Sequence, residues 1–363
     1  MSPELSVVIS SLNGAAGVSR CLRALARQTI WPAVEVIVVD DGSDDSTTEV
    51  ALAQGATVIR HPANLGVSAA RNSGVAVASA PVVAFLDDDC EPEPRWAERL
   101  LASYHDQVVG VGGPLLVTCE SRLLRDFLSR NNPLDPLEIE LTTSEKPLYR
   151  LGLYLRRQWN PVPRGGARAV YSLASANLSV RRSALVGVGG FDEDFRFGSE
   201  DEDLCRRLRI AYPAQRLLFA PDARVAHHFD PSLRDTLRRR LAYGTGSASL
   251  RRKWPDVLPT IFPGPILVGL ALAATAWLPI VFGVAVVLPT LIYPRGVRAA
   301  ITGRDPRCLL DAYLSLLQET CDDLGFLRGI WRLRRGEVRP DACLARQQIA
   351  DASRGVRRDR EVV

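Results

Sequence analysis

Residues 82–89, VVAFLDDD, constrain the chain most, because an apolar run of strand length ends in three consecutive carboxylates. Such a run is buried on both faces, as in a parallel sheet covered by helices. Asp87, Asp88 and Asp89 then stand at the carboxyl end of a strand, where open α/β sheets collect their ligands. Three adjacent carboxylates repel one another, and a shared divalent cation removes that cost. The ion expected is Mg2+ or Mn2+, hard and oxygen-seeking, with water and substrate phosphates completing its shell.

The same pattern precedes this run. Short β-branched stretches at Leu5–Ser10, Glu35–Asp40, Thr57–Arg60 and Val82–Leu86 read as strands, and Val18–Gln28, Ser46–Gln54 and Gly66–Ala78 between them read as amphipathic helices. This alternation is that of an α/β fold with a mostly parallel, Rossmann-like sheet. Asp40 and Asp41 close the second strand as the aspartate triplet closes the fourth. Between Thr118 and Val170 the regularity fades and five prolines intervene, which predicts an irregular insertion able to act as an acceptor-binding lid. With 363 residues, 47% of them apolar, the chain can hold one large domain and an appendage.

The order SVVISSLN, VEVIVVDDGSDDST, NLGVSAARNSG, VAFLDDD resembles the nucleotide-binding half of family 2 glycosyltransferases, and ASANLSVRRSALVGVGGFDEDF with FGSEDEDLCRRL is similar to their acceptor-side signature. The resemblance covers about residues 4–250 and implies the GT-A fold, a nucleoside diphosphate sugar donor, a Mn2+ or Mg2+ cofactor and inversion at the anomeric carbon. It implies that Ser11, Asn13, Asp40 and Asp41 lie beside the nucleoside, Asp40 being the first choice for the base contact. Arg71 matches a nucleotide contact, with Asn64 and Gly66 shaping the turn before it, and Asn177, in the acceptor-side motif, is expected to contact the nucleotide sugar as well. Asp87 and Asp89 match the Asp-x-Asp pair, the first near ribose and metal and the second a metal ligand, with Asp88 between them.

Sugar transfer needs a carboxylate that takes the acceptor's proton as the diphosphate leaves. Asp201, at the start of a helix in GSEDEDLCRRL, is the expected base and Asp203 the alternative; two residues apart, they cannot share a helix face. Of the adjacent pair His227 and His228, strand alternation admits only one into a site, and His227 is the expected third metal ligand. The Gln-x-x-Arg-Trp motif of processive synthases is missing, LCRRLRIAY standing nearby, so one sugar per encounter is expected. Two other readings stay open: a non-catalytic nucleotide-sugar-binding membrane scaffold, and a metal-dependent nucleotidyltransferase.

Residues 261–293 carry no charged side chain, a length to set against the roughly 20 apolar residues of a helical span. Four prolines divide the stretch, and Arg251, Arg252 and Lys253 precede it while Arg295, Arg298 and Arg304 follow, which predicts a membrane hairpin with both ends cytoplasmic. Leu309, Leu310, Tyr313, Leu316, Leu317, Leu324, Leu327 and Trp331 then recur at helical spacing among aspartates, predicting an interfacial or core-packed amphipathic helix. The domains expected are a GT-A unit over 1–230 (1–117 nucleotide-sugar half, 118–170 insertion, 171–230 acceptor half), a basic linker helix over 231–260, the hairpin over 261–293, and an amphipathic helix with an Arg-rich tail over 294–363. The segment HFDPSLRDTLRRRLAYGTGSASLRRKWP resembles one found in actinobacterial mycofactocin-type glycosyltransferases.

Net charge is +4, and the 17 basic against 11 acidic residues from Arg251 onward place the excess in the tail. That balance fits an anionic membrane surface and a lipid-linked or cell-envelope acceptor, not nucleic acid, since no dense basic and aromatic stripe accompanies the motifs. Seven cysteines without paired short spacing fit a reducing cytosol, and MSPELSVVIS lacks the features of a secretory signal, so the expected location is the cytoplasmic face of the cell membrane.

Overall fold

The β-branched runs of the central strands are buried on both faces, and the Thr57–Arg60 run at the sheet edge is only half-buried. The computed structural model describes residues 2–136, 146–159, 166–195, 198–229, 232–256 and 262–336. Its strands are β1 (Leu5–Ser11), β2 (Val34–Asp40), β3 (Thr57–Arg60), β4 (Val82–Asp87), β5 (Cys90–Pro92), β6 (Val108–Gly112), β7 (Leu115–Thr118), β8 (Arg168–Val170), β9 (Leu178–Arg181), β10 (Arg216–Phe219) and β11 (Val225–His228). Eight of them form one mixed sheet in the order β3-β2-β1-β4-β9-β6-β10-β8, and β5-β11-β7 form a smaller one. β1 to β4 pair in parallel, and β9 runs antiparallel to both β4 and β6.

Alternate residues feed two cores. Val7 and Ile9 of β1, Val36 and Val38 of β2, and Ala84 and Leu86 of β4 pack under the Ala15–Leu25 helix on one face. Val8, Ile37, Val39, Val83 and Phe85 point to the other, where Ala70 and Val75 of the Val67–Val77 helix meet them. Each fully buried side chain contributes about 1.5–3 kcal/mol, and a one-residue slip would exchange the faces, so the register is tightly set. That register puts Ser11 opposite Asp40 and Ser10 opposite Asp87, which gathers the motif residues at one end of the sheet.

The insertion is more regular than its prolines suggest. Helices Arg122–Arg130 and Pro147–Trp159 occupy much of its described part. Pro147 opens the second helix at a position where its missing N–H has no helical partner to lose. Residues 137–145 and 160–165 of the expected lid lie outside the described residues.

After the sheet, helix Leu233–Lys253 crosses helix Asp311–Arg334 at backbone contact. A methyl on Gly244 would lie 2.0 Å from the Asp322 carbonyl oxygen, and one on Gly325 2.2 Å from that of Leu241. Only glycine permits this approach. The second helix is turned opposite to the usual arrangement, for it buries Asp311, Gln318, Glu319 and Asp322 and exposes Leu309, Leu310, Leu317, Leu324, Leu327 and Trp331 just before and along it. The periodic stripe is there, but its apolar side faces outward.

Helices Pro263–Ala274 and Val281–Ile292 pack against each other. Each has 12 residues, about 18 Å at 1.5 Å per residue against a hydrocarbon core of roughly 30 Å. Among the described residues no single helix is long and apolar enough to cross a membrane. Only Val281–Ile292 together with Pro294–Gly303 has the length and composition, and that pair is bent by 74°. The Arg-rich tail beyond residue 336 lies outside the described residues.

Candidate active site

A cavity of about 1020 Å³ opens over the carboxyl ends of β1, β2 and β4, and its walls include Ser11, Asp41, Arg71, the aspartate triplet, Asp201 and His227. Asp89, just after β4, and Asp201, at the start of the Glu200–Ala211 helix, thus share one cleft.

At the floor, β4 ends at Asp87 and a turn carries Asp88 and Asp89 into β5. Ser11 donates its hydroxyl to Asp88. Burial, with repulsion from its two neighbours, pushes the Asp88 carboxyl up to about 7 even against that hydrogen bond. Burial and then Asp87 push Asp89 up to about 7 as well. On β11, His227 lies opposite Cys90 and brings Nε2 to 3.3 Å from Asp89 Oδ1. Asp89, Cys90 and His227 each offer one ligand atom within 4.8 Å of the others. His228 meets Glu91 at 2.7 Å, and of the adjacent pair His227 is the one on the cavity wall. Costly carboxylates beside a buried imidazole fit a divalent cation, and the nitrogen donor suits Mn2+ better than Mg2+.

Arg71 ties the floor to the opposite wall. Its guanidinium donates to Asp87 at 2.9 Å and to Glu200 at 2.8 Å while lying 5.3 Å from the centroid of the Phe191 ring. The resemblance assigned this arginine to the nucleotide; in the structure its two terminal nitrogens hold carboxylates. Glu200 opens the Glu200–Ala211 helix, whose Ser199 cap has a left-handed φ of 67°, a strained conformation that aims the helix start into the cavity. Next along it, Asp201 accepts from the backbone N–H of Ser175 at 3.1 Å and of Glu202 at 2.8 Å. Burial and then the Glu200 charge raise Asp201 to about 7. A carboxylate titrating there is well matched to general base work near neutral pH.

Four expectations are corrected. Asp203 is fully buried on the far side of the helix, where Arg207 Nε at 2.8 Å, Lys253 Nζ at 2.7 Å and Trp254 Nε1 at 2.8 Å hold it, so it is an anchor for the linker helix and not an alternative base. Asp40 is also buried away from the cavity, because Ser43 N–H and the Thr48 hydroxyl take its oxygens. Asp41 is the one on the wall; it receives the N–H groups of Leu65 at 3.0 Å and Gly66 at 2.8 Å, with His61 at 2.7 Å, and so folds the loop before the Arg71 helix. Gly66 at φ 101° supplies that turn. Asn177, buried, accepts from Trp96 Nε1 at 2.9 Å and donates to the Ala223 carbonyl at 2.9 Å, bracing the sheet and not lining the cavity. Asn13 is not on the wall either, since its carboxamide accepts from Asp44 N–H at 2.8 Å.

Sequence reasoning missed Glu200 as the partner of Arg71, and Glu202, which lines the cavity and is pushed up to about 7 by burial and by Asp201. It also missed the arginines that the Pro147–Trp159 and linker helices contribute to the wall. Acids in the first turn of a helix complement its dipole whether or not they face a ligand, and nothing in the spacing joins the distant arginines to the cleft.

The raised carboxyls carry a stability prediction. Asp88, Asp89, Asp201 and Glu202 titrate near 7 when folded and near 4 when unfolded, so their contribution is full below about pH 4 and is lost as pH rises through 7. Metal-free protein should melt at a lower temperature at pH 8 than at pH 5.5, and Mn2+ should recover the difference at pH 8. Thermal melts showing a flat metal-free profile and no response to Mn2+ would remove the cation from this account.

Two family profiles match the chain: Glycosyl transferase family 2 over residues 6–171, and Glycosyl transferase family group 2 over residues 164–310. The chain is 31% identical over 342 residues to the pre-mycofactocin glycosyltransferase of Mycobacterium tuberculosis, a match that covers 90% of this chain and 62% of that protein. It is 32% identical over 224 residues to validoxylamine A glucosyltransferase of Streptomyces hygroscopicus, covering 57% of this chain and 48% of that one. It therefore spans about three fifths and one half of the lengths of these relatives. A mannosyltransferase of Pyrobaculum calidifontis, solved with GDP-Man and Mn2+, superposes with a TM-score of 0.55 at 15% identity over 91% of this chain and 88% of that one, which shows a shared GT-A-like fold. With profiles of glycosyl transferase family 2 and of glycosyl transferase family group 2 running in order from residue 6 to residue 310 over that fold, the chain belongs to glycosyltransferase family 2.

Proposed function

We propose that the protein transfers one sugar, with inversion, from a nucleoside diphosphate sugar to a hydroxyl of a membrane-linked acceptor. One observation carries this reading: a single cavity holds Asp87, Asp89 and His227 at its floor and Asp201 on the wall across from them, with Arg71 spanning between. Asp41 and Ser11 flank the space for the nucleoside, Asp41 in place of Asp40. Asp89, Asp87 and His227 would hold the cation, which supplies charge to the leaving diphosphate when bound. Asp201, fixed by two backbone donors, takes the proton of the incoming hydroxyl, and Glu200 keeps Arg71 facing the floor.

The test is donor hydrolysis by purified protein with Mn2+ across UDP-, GDP- and dTDP-sugars, repeated with membrane extract as acceptor. At least one donor should be consumed faster with extract. No turnover of any donor would leave a nucleotide-sugar-binding scaffold, and release of inorganic pyrophosphate would mark a nucleotidyltransferase.

The membrane part of the reading rests on the hairpin. Trp277 is 92% and Ile280 79% exposed where its two helices join, and the outward leucines of the Asp311–Arg334 helix extend the apolar surface. Arginines flank the hairpin on both sides, which favours the cytoplasmic face. Helices too short to cross suit insertion into one leaflet. The wild-type chain should float with phosphatidylglycerol vesicles, and Trp277→Ser with Ile280→Ser should cut flotation about tenfold; equal flotation would discard the membrane part alone.

A further inference from the structure

A thiol lies just behind the acidic floor. Cys90 follows the aspartate triplet and opens β5, and its side chain, 1% exposed, sits in the core under the Ala15–Leu25 helix and not on the cavity wall. The antiparallel register sets it opposite His227, which is equally buried. Asp89 Oδ1 stands between the two, 3.3 Å from His227 Nε2 and 3.8 Å from Cys90 Sγ. The Phe229 ring packs edge-on against the imidazole, with 4.5 Å between centroids, and limits its rotation. The sulfur's other polar neighbour is the Ala176 carbonyl at 3.6 Å, a weak contact for a thiol donor.

These spacings are those of a tetrahedral ion. Bonds of about 2.0–2.3 Å to Zn2+ put neighbouring oxygen and nitrogen donors about 3.4 Å apart, and oxygen and sulfur about 3.6 Å apart. The observed 3.3 and 3.8 Å lie close to those edges. One carboxylate and one thiolate also cancel the charge of a dication, which a site this buried requires. Thiolate is a soft ligand that selects Zn2+ over Mn2+, and the imidazole suits both ions. The Mn2+ set of Asp87, Asp89 and His227 shares two of its donors with this one, so an ion held by Cys90 removes both.

We infer that Asp89, Cys90 and His227 form a thiolate zinc site behind the cavity floor, and that Zn2+ bound there blocks sugar transfer by taking Asp89 and His227 from the Mn2+ set. The blocking half rests on the transfer reading above; the zinc site itself does not. The Cys90 thiol gives its proton to solvent as the sulfur–metal bond forms, and a water from the cavity completes the tetrahedron. The floor thus holds two overlapping ligand sets, a hard one open to substrate phosphates and a softer one turned towards the core.

The test reads metal binding, independently of turnover. The metal-free full chain in neutral detergent is titrated with Zn2+, with Mn2+ and with Co2+, the last for its spectrum. Zn2+ should bind at least about a thousandfold more tightly than Mn2+, and Co2+ should give a thiolate-to-cobalt charge-transfer band in the near ultraviolet. Cys90→Ser should abolish that band and weaken Zn2+ at least about a hundredfold, with Mn2+ affinity held within about threefold as the sign of a folded site. Cys90→Ala should do the same without a hydroxyl. Cys321→Ser with Cys343→Ser should keep both the band and the Zn2+ affinity. A band that survives in the Cys90 variants, a band lost with the other two cysteines, or equal loss of Zn2+ and Mn2+ in both Cys90 variants would overturn the site and leave Cys90 as core packing. With Mn2+ present, Zn2+ equimolar with the protein should cut donor hydrolysis at least about tenfold, reversibly on chelation and return of Mn2+. Hydrolysis undisturbed by bound Zn2+ would overturn the block. Failure of hydrolysis without Zn2+ counts against the transfer reading instead, and the titrations still decide the site.

Discussion

Asp201→Asn should lower the rate of sugar transfer by about a thousandfold while leaving Mn2+-nucleotide affinity within a few-fold of wild type. The side chain lines the cavity and is oriented by two backbone N–H groups, and asparagine keeps that shape with no proton-accepting oxygen charge. General base catalysis typically contributes 10²–10⁴-fold, so the loss corresponds to roughly 4 kcal/mol of transition-state stabilisation. Since the Asp201 carboxyl is raised to about 7, wild-type kcat/KM should fall as pH drops through 7 and the base becomes protonated. The variant should lose this acidic limb along with its rate. A variant within tenfold of wild type, or one that keeps the limb, would remove Asp201 from the proton transfer. Asp203→Asn is the contrasting control: it should cost stability by loosening Lys253 and Trp254, with far less effect on the chemistry of the molecules that remain folded.

The contrast between these neighbours marks how far the sequence could be read. The strands were legible because each run alternates between two cores, a demand that leaves its mark on every residue. The floor was legible for the same reason, since the residues after an apolar strand must emerge at its carboxyl end. Choosing between adjacent acids was harder. Two residues apart on a helix guarantees that Asp201 and Asp203 face differently, but which face is inward depends on Lys253 and Trp254, half a hundred positions later. At Asp40 and Asp41 the choice is made by a turn, where Ser43 and Thr48 take one carboxylate and the Leu65–Gly66 loop takes the other.

Periodicity alone also leaves orientation open. The stripe from Leu309 to Trp331 was predicted from spacing, and the helix exists, but the same period describes a helix with its leucines in or out. Glycines decided the outcome, for Gly244, Gly325 and Gly329 let the two long helices meet on their small and polar sides. Asn177 failed for another reason: a buried carboxamide that satisfies Trp96 and a carbonyl is indistinguishable in sequence from one that touches a ligand. The arginines of the cavity wall were not legible at all, because Arg150, Arg157, Arg239, Arg240 and Arg295 come from three separate helices joined only by tertiary packing.

Asp89→Ala should abolish Mn2+-dependent turnover, by about a thousandfold or more, and yet make the metal-free protein more stable at pH 8. The first effect follows from its place beside His227 Nε2 and Cys90, where it is the carboxylate nearest a nitrogen ligand. Without it the leaving diphosphate loses its electrostatic partner, an effect worth several kcal/mol. The second effect follows from sign. A folded pKa of about 7 against about 4 for an ordinary aspartate means that the ionised form is disfavoured in the fold, so at pH 8 its removal relieves that cost. Asp88 gains too, since the Asp89 charge is among the causes that raise it. The backbone carbonyl of Asp89 still accepts the His228 N–H at 2.9 Å, so the β5–β11 pairing stays in place. Melting curves with and without Mn2+ separate the two: the variant should start higher than wild type at pH 8 and should not respond to the ion. A variant that still gains stability from Mn2+, or that turns over donor in its presence, would move the cation to other ligands.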